Sequence, residues 1–127
     1  MDFVSNKKEY WKFILDLRNH PSVKVGFIQQ EHISEESHIE YMKEHSDKYF
    51  VCLIDGEPAG YVGVINKDIR VATHPKYQGR GVGKFMIDEI MKIYPSSCAK
   101  IKMENEASIK LFEKCGFKKK YYILEKQ

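Results

Sequence analysis

The sequence predicts one α/β domain of the α+β kind, residues 1–127, in which a mixed sheet carries helices on both faces. Three observations predict it. Tyr49–Ile54 and Glu57–Ile65 are apolar, strand-like runs joined by Asp55-Gly56, the dipeptide that tight two-residue hairpin turns prefer. Downstream, strand-like and helix-like periods alternate in the manner of βαβ crossovers. No linker, repeat or low-complexity segment interrupts the 127 residues, a length that fits a single domain.

The elements follow in order. Met1–Val4 reads as a short first strand. Lys7–Arg18 follows the capping residues Ser5-Asn6 and sets Trp11, Ile14, Leu15 and Arg18 along one helical stripe. Asn19-His20-Pro21-Ser22 ends that helix, because Pro21 disfavours helical geometry in the residue before it. Ser34 reads as a second N-cap, with Glu35 and Glu36 where the helix dipole favours negative charge. This helix should run to about Glu44 with Ile39 and Met42 facing inward. Both faces of Tyr49–Ile54 are apolar, which places that strand inside the sheet. Asp68–Thr73 is a strand stopped by His74-Pro75. Gly81–Tyr94 is a helix with Val82, Phe85, Met86, Ile90 and Ile93 inward, broken by Pro95-Ser96-Ser97. Ala99–Met103 is a strand. Glu106–Cys115 is a helix entered from Asn105 and left through Gly116. Lys119–Glu125 reads as a last strand.

Composition narrows the function classes. Lys+Arg minus Asp+Glu is 21 − 18 = +3. So mild an excess favours an anionic small molecule over nucleic acid, whose binders concentrate basic charge on one face. Cys52, Cys98 and Cys115 cannot all pair within the chain and read as reduced thiols of a cytoplasmic protein. The N-terminus lacks an apolar core of signal-peptide length, and no apolar run approaches the roughly 18 residues of a membrane span. No membrane partner is therefore expected. The five histidines (20, 32, 38, 45 and 74) form no metal-ligand pattern, and Cys115 has no Cys-His partner for nucleophilic chemistry. No metal is expected.

The chemistry-bearing stretch is Gln78-Gly79-Arg80-Gly81-Val82-Gly83-Lys84. Glycines at the start of a helix let backbone N–H groups close on an anion. Two familiar phosphate loops do not fit. A Walker A loop needs Gly where Gln78 stands and Ser or Thr where Phe85 stands. A dinucleotide fingerprint beginning at Gly79 and Gly81 needs its third Gly where Lys84 stands.

The stretch resembles instead the acetyl-CoA pyrophosphate motif of the GNAT superfamily of N-acetyltransferases, Gln/Arg-x-x-Gly-x-Gly/Ala, here Gln78, Gly81 and Gly83. A second motif, Asn105 to Phe117 ("NEASIKLFEKCGF"), is similar to the family's Asn-x-x-Ser/Ala…Tyr-x-x-x-Gly-Phe helix. The resemblance implies a largely antiparallel sheet splayed between two central strands, Asp68–Thr73 and Ala99–Met103. It implies acetyl-CoA as co-substrate in that opening. Val71, Ala72 and Thr73 would offer backbone groups to the pantetheine arm. An N–H near Val71 would polarise the thioester carbonyl. Gln78, Gly79, Arg80, Gly81, Val82, Gly83 and Lys84 would hold the pyrophosphate. Asn105, Lys110 or Lys114, and the Phe112 position, would complete the cofactor side. The family includes homodimers.

The chain departs from the pattern at Phe112, where relatives place a Tyr that protonates the leaving thiolate. Tyr121 and Tyr122 are the nearby alternatives in sequence. For the base that takes the amine proton, the candidates are Asp68 on the central strand, or Glu31, His32 and His38 in the segment expected to line the acceptor pocket. Solvated surface roles are the commoner fate of such residues. Leu17 to Met42 is similar to the N-terminal region of GNAT enzymes that acetylate nucleotide-linked amino sugars, and of those that acetylate ribosomal-protein N-termini. Their Trp-Arg-Asn is here Leu17-Arg18-Asn19. The expected partner is thus a small-molecule amine, a nucleotide-linked amino sugar first, or a peptide N-terminus. A non-catalytic acyl-CoA-binding module is the competing class, favoured by Phe112 and by the lack of an obvious base.

Overall fold

The computed structural model describes residues 1–127. Strands β1 (Asp2–Ser5), β2 (Tyr49–Ile54), β3 (Glu57–Ile65) and β4 (Asp68–Thr73) lie in that order in one antiparallel sheet. The expected hairpin forms with the expected bounds. Asp55 (φ 50°) and Gly56 (φ 80°) both take the left-handed conformation that a two-residue turn needs to match strand twist. Asn66 (φ 51°) and Lys67 (φ 66°) turn β3 into β4 in the same way. The expected strand bounds, Glu57–Ile65 and Asp68–Thr73, leave these two residues between them, as observed.

Helices cover both faces, as predicted. On one face α1 (Trp11–Asn19) and α3 (Glu35–His45) bury Ile14, Leu17 and Met42 against Tyr49, Val51, Tyr61 and Ala72. On the other, α4 (Val82–Ile93) and α5 (Glu106–Lys114) bury Val82, Met86, Ile87, Ile90 and Phe112 against Cys52, Val62, Val64 and Ile69. Strand alternation makes this division: Tyr49 and Val51 face one layer and Cys52 the other. Each fully buried aliphatic side chain contributes about 1.5–3 kcal/mol by leaving water.

Several local expectations shift by a residue or a face. The first helix begins with a 3-10 turn, Lys8–Tyr10, and has no side-chain cap. Asn6 instead sends its amide to Ser46 Oγ at 3.1 Å, and the Trp11 indole N–H meets the same oxygen at 3.1 Å. His20 does leave helical geometry before Pro21. Its Nδ1 then accepts from Ser22 N–H and caps a one-turn helix, α2 (Pro21–Lys24). Ser34 caps α3 as expected, accepting from Ser37 N–H at 3.2 Å. Met42 is buried, but its companion on that face is His38, 1% exposed, and Ile39 is only half-buried. In α4 the inward residue is Ile87, whereas Ile93 is 46% exposed.

Two predicted strands are corrected. Ala99–Met103 does not join the sheet. One parallel bridge, Asp68 to Cys98, ties this segment to β4, and beyond it the chains part. The mixed character of the sheet reduces to that bridge. Lys119–Glu125 forms no strand, and Tyr121, Tyr122, Ile123 and Leu124 are 76–92% exposed. The diverging 99–103 segment offers this tail no continuous sheet edge to pair with.

Candidate active site

The site begins at the free edge of β4. His74 N–H donates to Ala59 C=O at 2.8 Å, which sets the phase of the ladder. Arg70 and Ala72 therefore turn their backbone groups to β3, and Ile69, Val71 and Thr73 turn theirs outward. Ile69 N–H donates to Cys98 C=O at 2.9 Å and Cys98 N–H to Lys67 C=O at 2.8 Å, closing the narrow end. Past that pair, Val71 and Thr73 present unpaired N–H and C=O groups to the opening. Ala72, assigned with them from sequence, spends its backbone on β3.

The opening leads to the glycine loop. His74 Nδ1 accepts from Lys76 N–H at 3.0 Å and caps the 3-10 turn Pro75–Tyr77. Gly79 and Gly81 follow, each at φ 79°, and a Cβ added to either would meet no atom within 4 Å. The loop is thus left-handed at two points, with open space beside both glycines. Gly81 is the N-cap of α4 and offers no side-chain acceptor. The first N–H groups of the helix, from Val82 onward, have no intrahelical partner and carry the positive end of the dipole. Gln78 and Arg80 are exposed beside them. Arg80 and Lys76 lie over the Tyr77 ring at 5.6 and 5.5 Å from its centroid, flanking the loop with positive charge. Lys76 and Tyr77 escaped the sequence reading, although the His-Pro cap was their signal.

Three neighbours of the cradle have other duties. Val82 is 1% exposed, so its side chain belongs to the core and only its backbone faces the loop. At Gly83 a Cβ would stand 2.8 Å from Leu111 Cδ2, so this glycine lets α4 and α5 approach. The Lys84 ammonium lies 2.6 Å from Asp88 Oδ2, whose hydrogen bond and charge push its pKa up.

On the far side of the opening, Asn105 caps α5 by accepting from Ser108 N–H at 3.2 Å. Its amide donates to Gly26 C=O at 3.2 Å. Lys110 stands in a groove of about 330 Å³ with Met103, Glu106, Ile109, Glu113 and Lys119. Phe112 is 5% exposed and packs edge-on against Phe117 at 5.0 Å. Its ring is a core residue with no proton to give.

The structure does not bring the acid–base candidates together. Asp68 lies at the narrow end, with Oδ2 accepting from Arg70 Nε at 3.0 Å and Oδ1 buried without a partner. Glu31 is exposed on the α2–α3 connection. Tyr121 is 82% exposed on the C-terminal segment. His32 is exposed. His38 is buried: Nε2–H donates to Trp11 C=O at 2.8 Å, and Nδ1 accepts from Arg18 Nη1 at 3.0 Å. Burial holds its pKa below the usual histidine range, and both nitrogens are engaged. Arg18 also lies over the Tyr41 ring at 4.9 Å. Asn19 clamps Ile33 through two hydrogen bonds of 2.8 Å. The Arg-Asn pair therefore builds the helical layer. A separate concavity of about 420 Å³, lined by Lys48, Asn66, Lys67 and Ser96 among others, lies at the opposite end of β4 and α4.

The acetyltransferase (GNAT) family matches residues 11–117. The chain belongs to that family. The match runs from α1 through the Gly116-Phe117 corner, so β1 and residues 118–127 lie outside it. Its GNAT relatives include an uncharacterised N-acetyltransferase of Methanocaldococcus jannaschii, 26% identical over an alignment of 99 residues that covers 65% of this chain and 44% of that protein. The acetyltransferase PseH of Campylobacter jejuni is 28% identical over an alignment of 98 residues that covers 72% of this chain and 62% of that protein. The aligned stretches thus span about half the length of these curated relatives. Among solved GNAT structures, spermidine N-acetyltransferase from Vibrio cholerae, in complex with CoA and spermine, has a TM-score of 0.82 at 18% identity and covers 98% of this chain and 85% of that one. That likeness is one of fold. The glycine cradle and the free edge of β4 fit a pyrophosphate joined to an amide-bearing arm.

Proposed function

We propose that this GNAT domain is an acetyl-CoA-dependent N-acetyltransferase acting on a primary amine. The observation that carries the reading is the free backbone of Val71 and Thr73, followed along the chain by the open, uncapped glycine turn at Gly79 and Gly81. A pantetheine arm has amides that can pair with such an edge as an added strand. A pyrophosphate matches the uncapped helix end, with Arg80 and Lys76 beside it. Acetyl-CoA supplies an acyl group already activated as a thioester. Val71 N–H, on the free edge of β4, would donate to the carbonyl oxygen where negative charge develops. The amine must arrive neutral. Its nitrogen attacks the carbonyl carbon, the carbon–sulfur bond breaks, and one proton passes from nitrogen to a base. Asp68, with one oxygen unpartnered, and Glu31 are the proposed acceptors of that proton. Tyr121 is the proposed donor to the thiolate if the C-terminal segment folds inward.

For the acceptor, a nucleotide-linked amino sugar is the first choice. The Leu17–Met42 segment supports it. Arg18 and Asn19 would contribute by shaping the pocket, since their side chains are bound to His38 and Ile33. A non-catalytic acyl-CoA-binding module is the second reading, favoured by the buried Phe112 and by the Arg70 bond to Asp68. Calorimetry with acetyl-CoA, ATP and NAD comes first, and absence of acetyl-CoA binding would end both readings. Thiol release across nucleotide-linked amino sugars, ribosomal N-terminal peptides and polyamines then separates enzyme from module and ranks the acceptors.

A further inference from the structure

The 99–103 segment leaves β4 after Cys98, yet it does not hang free. Two side chains from its end and from the α5 cap reach across to the α2–α3 connection. Lys102 Nζ donates to Val25 C=O at 3.2 Å, and Asn105 Nδ2 donates to Gly26 C=O at 3.2 Å. These bonds join residues 77 and 79 positions apart. The connection is itself a closed loop. Gly26 N–H donates to Val23 C=O at 3.1 Å and Phe27 N–H to Lys24 C=O at 2.9 Å. The Gln30 amide donates to the carbonyls of Val25 and Phe27, both at 3.1 Å. Asn19 pins its base at Ile33. The loop thus spans from the α1 layer to the start of α5, within the segment whose Glu31 and His32 are expected to line the acceptor pocket.

Two further facts show that the junction is close-fitting. The Lys102 side chain is 25% exposed, and its nearest carboxylate, Glu104, is 3.9 Å away and 75% exposed. The ammonium is thus committed mainly to a neutral carbonyl on another element. A Cβ on Gly26 would lie 2.8 Å from Asn105 Nδ2, so only glycine lets the amide reach this carbonyl. Around the junction Val25, Ile28 and Met103 expose 61%, 62% and 78% of their surface, an apolar rim with no partner in the fold.

We infer that Lys102 and Asn105 are positioning residues that latch residues 24–30 as a strap over the acceptor side of the opening, and that the latched strap sets which amines enter. This rests on the transferase reading above. It assigns Lys102 a role that its charge alone does not suggest: the ammonium holds a loop.

The test uses the full chain and two variants. Lys102→Met keeps the apolar stem and removes the donor. Gly26→Ala pushes the Asn105 amide off its carbonyl. Hydrogen–deuterium exchange of residues 24–30 should quicken by about tenfold in both variants, with α3 unchanged, since each latch bond lost opens the loop locally. Thiol-release kinetics over the amine panel should show acceptor KM rising about tenfold in Lys102→Met and the ranking of acceptors flattening, with the KM for acetyl-CoA held. Unchanged exchange in both variants would overturn the latch. Acceptor and acetyl-CoA KM rising together would overturn the assignment to acceptor selection. If the wild-type chain turned over no amine, the transferase reading would fall with the selection role, and exchange would decide the latch alone.

Discussion

Replacing Gly81 by Glu separates the backbone demands of the glycine loop from its ligand. The substitution acts in two ways. A side chain at φ 79° is strained by about 1–2 kcal/mol, whatever surrounds it. The carboxylate also stands at the uncapped N-terminus of α4, where the pyrophosphate is proposed to sit. Two unit charges about 4 Å apart at a protein surface repel by about 4 kcal/mol, which lowers affinity about 10³-fold. Gly56 provides the control. Its φ is 80° and a Cβ there also meets nothing within 4 Å, but it lies in the β2–β3 turn and not in the glycine loop. Gly81→Glu and Gly56→Glu should therefore lose similar stability in thermal melts, about 5 °C each for a domain of this size. Calorimetry with acetyl-CoA should find binding intact in Gly56→Glu and abolished in Gly81→Glu. A folded Gly81→Glu protein with unchanged affinity would refute the cradle.

Three further outcomes are expected. Phe112→Tyr should raise the thiol-release rate about 10²-fold, the lower end of what a positioned acid contributes, because it supplies the proton donor that the buried ring lacks. No gain in a variant that keeps its melting temperature would show that thiolate departure does not limit turnover. His38 is buried with its pKa lowered, so the unfolded chain takes up the proton first as pH falls. Its stability contribution is present above the unfolded value of about 6.5 and lost below it, by up to about 1.4 kcal/mol per pH unit. Melts from pH 7.5 to 5 should show this fall, and His38→Gln should remove that component. Finally, Arg80→Ala should weaken acetyl-CoA about tenfold, as a lost charge-assisted hydrogen bond does, and Lys84→Ala less, since Asp88 holds the Lys84 ammonium. Equal losses in calorimetry would show that Lys84 abandons Asp88 for the ligand.

What was legible in the sequence follows from what each signal depends on. The β2–β3 hairpin, the Ser34 and Asn105 caps and the Gly81 helix start are local, each decided by a few adjacent residues. They came out with correct bounds or within a residue. The 99–103 and 119–125 segments have strand composition, but a strand also needs a neighbour, and that is a tertiary fact. One diverges from β4 after a single bridge, and the other has no edge to meet. The glycine loop shows the same limit within one motif. Gly79, Gly81 and Gly83 look equivalent in a row, yet two are required by a positive φ and one by Leu111 of a helix 28 residues on. Arg18, Asn19 and Asn105 carry the same lesson for polar residues. Asn105 was placed on the cofactor side and Arg18-Asn19 in a motif of the acceptor segment, and each is hydrogen-bonded to a distant part of the chain, Arg18 to His38, Asn19 to Ile33 and Asn105 to Gly26. An unpaired polar atom in a half-closed site is the better indicator of chemistry, because burial without a partner costs about 1–3 kcal/mol and persists only where something offsets it. By that measure Asp68, whose Oδ1 is buried and unpartnered where β4 and the 99–103 segment part, is a stronger base candidate than the exposed Glu31.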